Sequence, residues 1–346
     1  MLRHLAAICL AAVISPGLAA GQNDEAPYPV GMQQIEFVDG ERHLALAMFY
    51  PAALADPPAK PLALPFFTNL RLYQDAALVP GGPYPLVMFS HGRGSNPLYY
   101  AWFAQTLASH GYIVAGLYHY RANTYDQTIA YLANKLWQRP RDVSLAIDFL
   151  LSDSLWGSHV DAKRIGIAGH SQGGFTSLWI GGAKVDPDKY LAFQKGWKNN
   201  QMVPAHLRDA LPLDPAPALD VHDPRIKAAF AMAPGIIKAF GMDQAGLGQL
   251  AIPVYITVGA RDTQTPPADN AAFAAQHIPN AKLEIIPGPV DHEIFVNECD
   301  ADGRDEFPEA CIDAPGVDRA AIHKSVGAAA LEFFGNALTA GARTQP

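Results

Sequence analysis

The stretch Arg164–Gly182, "RIGIAGHSQGGFTSLWIGG", places an apolar run, a serine bracketed by glycines and a second apolar run in direct succession. Ile165 and Ile167 suit a short buried strand, and "FTSLWIGG" continues with residues that a helix accepts. Only a tight turn fits between the two. Such a turn folds the backbone onto itself, so a Cβ at position 169 or 173 would collide, and glycine is the residue that escapes. The turn would hold the Ser171 hydroxyl above the end of a sheet. G-x-S-x-G between strand and helix is the setting in which a serine acts as a nucleophile. With glycine at ~7% of residues, a given serine is flanked this way by chance about 0.5% of the time.

The rest of the chain supplies the sheet. From Tyr84 onward the short apolar runs "YPLVMFSHG", "GYIVAGLYH", "RIGIAGHS", "IKAAFAMAPG", "IPVYITVGARD" and "AKLEIIPG" are separated by helix-like stretches. This alternation predicts an α/β fold, a mostly parallel sheet with helices on both faces. Functional groups should gather at the C-terminal ends of its strands. Before it, "QQIEFVDGERHLALAMFYPA" alternates apolar and polar residues about Asp39-Gly40, which predicts an antiparallel hairpin. Residues 51–83, rich in Pro, Ala and Leu, read as irregular. The link from Gly182 to Asp223 is too long for an ordinary connection. We expect an insertion at about 183–223, helical over Lys189–Trp197 and lying over the site as a cap; a peripheral decoration is the alternative. "DRAAIHKSVGAAALEFFGNAL" predicts an amphipathic helix packed on the sheet.

Residues 1–20 read as an export signal, with Arg3, an apolar core from Leu5 to Ile14, the breaker Pro16-Gly17 and small residues at Ala19 and Ala20. That leaves 21–346 as one catalytic domain, periplasmic or secreted. The formal charge of −8 disfavours nucleic acid and anionic membrane surfaces as partners, and no later segment is apolar enough for a stable membrane span. Removing the signal takes Cys9 and leaves Cys299 and Cys311 around the acidic loop "CDADGRDEFPEAC". Two nearby cysteines in an oxidising compartment are expected to pair. Within the loop, "DADGRDE" departs from the twelve-residue calcium pattern and reads as a solvated acidic loop.

A serine hydroxyl needs a base, and the base needs a carboxylate to orient it. Among twelve histidines, His292 follows the last predicted strand in "PVDHEIF"; His170, beside the serine, should point elsewhere. Asp262 lies just beyond the strand "IPVYITVG", on a loop stiffened by Pro266 and Pro267, whereas Asp243 and Asp291 are competitors on a longer tether and at an adjacent position. Ser171, Asp262 and His292 then run in the order Ser, Asp, His. An oxyanion would be met by the backbone N–H of Gln172 and by that of Arg93 in "SHGRGS", with His91 bracing the loop. This chemistry calls for no metal and no organic cofactor.

"FSHGRGS", "GHSQGG", "GARDTQTP" and "DHEIF", together with "QRPRDVSLAIDFLL" and the cysteine-bounded loop, resemble the α/β-hydrolase superfamily. Within it the chain is most similar to the exported group known as predicted dienelactone hydrolases, itself similar to platelet-activating-factor acetylhydrolases. Dienelactone hydrolases use cysteine where position 171 is serine, and the acetylhydrolases take their acid after the sixth strand. The resemblance implies hydrolysis of a small or lipid-like carboxylic ester through a Ser-His-Asp triad. A polymer-directed polyester hydrolase is the alternative enzyme, and an inactive hydrolase-fold binding protein the alternative from another class.

Overall fold

In the computed structural model, strands β1 (Val30–Asp39) and β2 (Arg42–Ala53) pair antiparallel from Val30 opposite Pro51 to Asp39 opposite Arg42. Gly40 takes the turn at φ 60°, a left-handed position where glycine carries no steric penalty. The structure describes residues 26–55, 60–199, 201, 205–208 and 220–339. The expected signal at 1–20 and much of the insertion's second half lie outside the described residues.

The segment 51–83 is less irregular than expected. β2 runs on to Ala53, and two short strands follow, β3 (Leu72–Gln74) beside β1 and β4 (Ala77–Leu78) beside β2. Leu72 is fully buried. Runs of two or three residues are too short to carry a legible alternation, and pairing with a hairpin already formed is what holds them extended.

The main sheet adds β5 (Tyr84–Ser90), β6 (Ile113–Tyr118), β7 (Val160–His170), β8 (Ile226–Met232), β9 (Val254–Gly259) and β10 (Ala281–Ile286). Across the sheet the order is β10-β9-β8-β7-β5-β6-β2-β1-β3. β5 to β10 are mutually parallel, and β2 joins β6 antiparallel. Every residue of β6 and β9 is buried, as a strand covered on both faces requires. That is why these strands read as unbroken apolar runs.

The covering helices are α1 (Ala101–Ala108), α2 (Gln138–Ser152), α3 (Gln172–Ile180), α4 (Pro187–Trp197), α5 (Ala271–His277) and α6 (Arg319–Thr339). α1 packs with α6, and α2 with α3. α4 begins at Pro187, two residues before the expected start, because the Asp186 side chain accepts the N–H groups of Asp188 and Lys189. An aspartate cap followed by proline is a strong helix start. No helix among the described residues is long and apolar enough to cross a membrane.

From β5 the chain moves to β6 on one side, then returns to β7 on the other. The winding therefore reverses between β5 and β7. In an open α/β sheet the crevice at the C-terminal ends of such a pair is where ligands bind, and "SHGRGS" and "GHSQGG" both emerge there.

Candidate active site

Ser171 joins β7 to α3 at φ 56° and ψ −120°, a conformation that non-glycine residues adopt only when their surroundings impose it. Its N–H donates to the carbonyl of Met232 at 2.9 Å, and its carbonyl accepts from Phe175 and Gly235, both at 3.1 Å. A Cβ on Gly173 would overlap the Ser90 carbonyl, and one on Gly169 would overlap that of Gly173. Bare backbone at both flanks is what lets β5, β7 and α3 meet.

Asp262, three residues beyond β9, and His292, six beyond β10, meet although thirty residues apart. The Nδ1–H of His292 donates to Asp262 Oδ2 at 2.7 Å, and both residues are buried. Asp262 also accepts the Thr265 N–H at 2.7 Å and the Thr265 hydroxyl at 2.8 Å. Burial opposes ionisation of this carboxyl, but the His292 and Thr265 hydrogen bonds outweigh it, and its pKa is held below the ordinary range. The competing carboxylates sit elsewhere. Asp243 pairs with Lys189 Nζ at 2.5 Å and caps a short helical turn. Asp291 caps the turn His292–Phe295 through the His292 N–H and accepts from the Thr263 N–H.

Ser171 is the meeting point of two cavities. One, about 290 Å³, is lined by His292, His170, Tyr99, Phe307, Glu293 and Cys311, among others. The other, about 240 Å³, is lined by Gln172, Tyr131, Leu136, Phe193 and Ile236, among others. Arg93, Ser171 and Gln264 line both. A larger concavity around Lys189, Asp243 and Phe273 reaches none of the candidate residues except Asp243. Cys299 and Cys311 are joined in a disulfide, which places that bridge in the wall beside His292.

The comparisons with known proteins bear on the fold that carries these residues. The ferulic acid esterase from Streptomyces cinnamoneus superposes with a TM-score of 0.61, at 20% identity over 92% of each chain. The dienelactone hydrolase from Anabaena variabilis gives 0.51 at 15% identity, over 90% of this chain and all of that one. This chain has the α/β-hydrolase fold. The family model for platelet-activating factor acetylhydrolase, isoform II, matches residues 62–144. The Bos taurus platelet-activating factor acetylhydrolase is 30% identical over 148 residues, covering 30% of this chain and 33% of that protein. The cutinase cut1 of Thermobifida fusca is 26% identical over 187 residues, covering 54% and 53%. The chain thus spans about a third of the acetylhydrolase's length and about half of the cutinase's.

On this α/β-hydrolase frame, His91 braces the loop after β5 as expected, and that loop rests on a buried polar network that the sequence reading missed. His91 Nδ1 donates to the carbonyl of Gly92 at 2.6 Å. That carbonyl shares a planar peptide with the Arg93 N–H, so holding one fixes the direction of the other. Arg139 donates from Nη2 to the His91 carbonyl and to Ser90 Oγ, and from Nε to Thr176 Oγ1. Ser90 Oγ in turn contacts His119 Nε2 at 2.8 Å, and His119 Nδ1 contacts Asp142 Oδ2 at 3.2 Å. Ser90, His119 and Asp142 have the residue types of a triad but are sealed from solvent. Burial and the nearby guanidiniums of Arg139 and Arg42 hold His119 well below its usual pKa. Burial also pushes Asp142 up to about 6 and lowers Arg139 to about 9. The available signal was "QRPRDVSLAIDFLL", which sets Arg139 and Asp142 on the helix face that also carries the buried Val143, Ala146, Ile147 and Leu150. His170 does not stand apart from the site either: it lines the 290 Å³ cavity with Ser171 and His292.

Proposed function

We propose that this chain is a serine carboxylic ester hydrolase working through an acyl-enzyme. The observation that carries the reading is the His292–Asp262 pair, hydrogen-bonded at 2.7 Å, with His292 lining the same cavity as the strained Ser171. Ser171 Oγ attacks the ester carbonyl carbon while His292 Nε2 takes the hydroxyl proton, and Asp262 stabilises the imidazolium. The oxygen of the tetrahedral intermediate takes the negative charge and is met by the N–H groups of Arg93 and Gln172. Gln172 is the first residue of α3, where an N–H has no intrahelical acceptor. The intermediate collapses, the C–O bond to the alcohol breaks, and His292 returns its proton to the departing oxygen. Water then repeats the attack with His292 as base, releasing the carboxylic acid and restoring Ser171. Relatives named as acetylhydrolases and cutinases, and a neighbour named as an esterase, support ester chemistry.

We also propose that the chain is exported. The Cys299–Cys311 bond is of a kind that persists in oxidising compartments, and the first twenty residues have the pattern of a cleavable signal.

The test is labelling with a fluorophosphonate together with hydrolysis of p-nitrophenyl acetate. Both should occur in the wild type and both should vanish in Ser171→Ala. Hydrolysis that persists in the alanine variant would remove Ser171 from the mechanism.

A further inference from the structure

The two cavities that meet at Ser171 differ in which of the reacting groups they contain. His292 lines the 290 Å³ cavity and not the other; Gln172 lines the 240 Å³ cavity and not the first. In the proposed reaction the proton held by His292 must reach the departing alcohol oxygen, so the alcohol portion has to face His292. The carbonyl carbon is held at Ser171, and its remaining substituent is directed away from the base. From this polarity we propose that the 240 Å³ cavity is the acyl chamber, and that helix α4 of the insertion sets the length of acyl group it accepts. The inference rests on the esterase reading and adds the substrate class: esters of apolar carboxylic acids of medium length.

The chemistry of the walls fits an acyl chain. Leu132, Leu136, Phe193, Ile236 and Ala239 give an apolar surface, and the guanidinium of Arg93 lies 5.4 Å over the Tyr131 ring. The 290 Å³ cavity carries Glu293 and Glu309 beside aromatic rings and the disulfide, a wall better matched to a polar alcohol. At ~30 Å³ for each group of water size, 240 Å³ holds about eight non-hydrogen atoms. The chamber therefore suits an acyl chain of about six to eight carbons.

Two walls limit that length. Ile236 is held at φ 52°, and a β-branched residue in the left-handed region marks imposed strain. It enters the cavity wall from the segment after β8. Phe193 comes from α4, and its ring packs edge-on against Phe240 at 5.3 Å. It is thus held against the body of the protein. The helix that the chain inserts after α3 supplies an aromatic stop to the chamber.

The experiment measures kcat/KM for p-nitrophenyl esters from acetate to myristate, all below their aggregation concentrations, and for hexanoate esters of a series of alcohols. Wild type, Phe193→Ala and Phe193→Trp are compared, each first shown to unfold cooperatively. Within the chamber each added methylene should raise kcat/KM by about fourfold, up to about eight carbons, with a fall beyond. Phe193→Ala should move that optimum three to four carbons longer, by the ring volume removed at ~30 Å³ per group. Phe193→Trp should move it shorter, which a general loss of packing would not do. An acyl profile unmoved in both variants, or an effect confined to the alcohol series, overturns the inference while leaving the esterase reading intact. A wild type that hydrolyses no member of either series overturns the esterase reading itself, and this inference with it.

Discussion

The Nε2 of His170 hydrogen-bonds the carbonyl oxygen of His292 at 3.1 Å, and the two rings lie 4.6 Å apart. A carbonyl only accepts, so Nε2 carries the proton, and Nδ1 is left to accept the Tyr100 hydroxyl at 3.0 Å. Burial and the neighbouring His292 keep His170 well below its usual pKa, which preserves this neutral form. The residue next to the nucleophile thereby holds the main chain of the candidate base, 122 positions later in the sequence.

His170→Phe keeps a ring in place and removes both hydrogen bonds. In the proposed mechanism kcat for p-nitrophenyl acetate should fall by about 10- to 100-fold, the cost of a small misplacement of a reacting group, with KM changing far less. Steady-state kinetics would show it, and an unchanged kcat would mean that the His292 main chain needs no support from this ring.

Arg139 is the next test, because it touches no substrate. Its fork holds the His91 carbonyl, Ser90 and Thr176 together. Lysine keeps the charge but cannot reproduce a planar fork, so Arg139→Lys should lower kcat about tenfold and leave KM nearly unchanged. Loss of one oxyanion donor outright costs 10²–10³ in kcat, which is the expected ceiling for Arg139→Met. A rise in KM with kcat retained would show that the network shapes binding and not the direction of the Arg93 N–H.

These residues show where sequence reasoning ends. The strands β5 to β10 were legible because each carries a short apolar run bounded by turn residues. The Ser171 turn was legible because its pattern is local, glycines at 169 and 173 between an apolar run and a helix-compatible run, although the Ser90 carbonyl that a Cβ on Gly173 would overlap belongs to another strand. Asp262 could be preferred over Asp243 because distance from a strand end limits where a side chain can reach, and over Asp291 because adjacent side chains on an extended loop diverge. None of this applies to the Ser90–His119–Asp142–Arg139 network. Its bonded pairs Ser90–His119, His119–Asp142 and Ser90–Arg139 are 23 to 49 positions apart, they meet only after the sheet forms, and a histidine after a strand end or an aspartate on a helix looks the same in sequence whether buried or exposed. The cavity walls were legible only in outline: the length of the insertion pointed to a helix over Lys189–Trp197 lying over the site, but no local pattern specified that Phe193 would line the same cavity as Ser171.

His323 should make the protein sensitive to acid. It is buried on α6, stacked 3.9 Å from Trp102, with Nε2 on the Ile294 carbonyl and no partner for Nδ1. Burial pushes its pKa down to about 3, against ~6.5 in an unfolded chain. A depressed histidine pKa means that the unfolded state binds the proton first. Its contribution is therefore complete above pH ~6.5 and is lost as pH falls toward 3, by about 1.4 kcal/mol per pH unit. His323→Phe retains the stacking and removes that proton. Urea unfolding at pH 7, 6, 5 and 4 should give a slope shallower by that amount, and parallel pH profiles would contradict the burial argument.

The choice of carboxylate is decided by three aspartate-to-asparagine variants. Asp262 accepts from His292 Nδ1 at 2.7 Å, and two further hydrogen bonds from Thr265 lock its orientation. Asparagine there can turn an NH2 toward the ring, which favours the tautomer with the proton on Nε2, unable to take one from Ser171. Loss of the orienting carboxylate costs about 10⁴-fold in kcat in serine hydrolases, and Asp262→Asn should lose a comparable factor. Its lowered pKa adds a stability signature. The carboxylate's contribution is present above its unfolded pKa of ~3.9 and fades as pH falls through the folded value, so Asp262→Asn should also lack that part of the acid transition. Asp243 lies in an exposed pair with Lys189, where solvent screens the interaction, and Asp243→Asn should keep kcat within a few-fold. In Asp291→Asn the side-chain oxygen still caps the His292 N–H, so only a modest fall is expected. If Asp243→Asn proves the crippling variant while Asp262→Asn turns over normally, the acid lies after β8 and the 2.7 Å contact is structural.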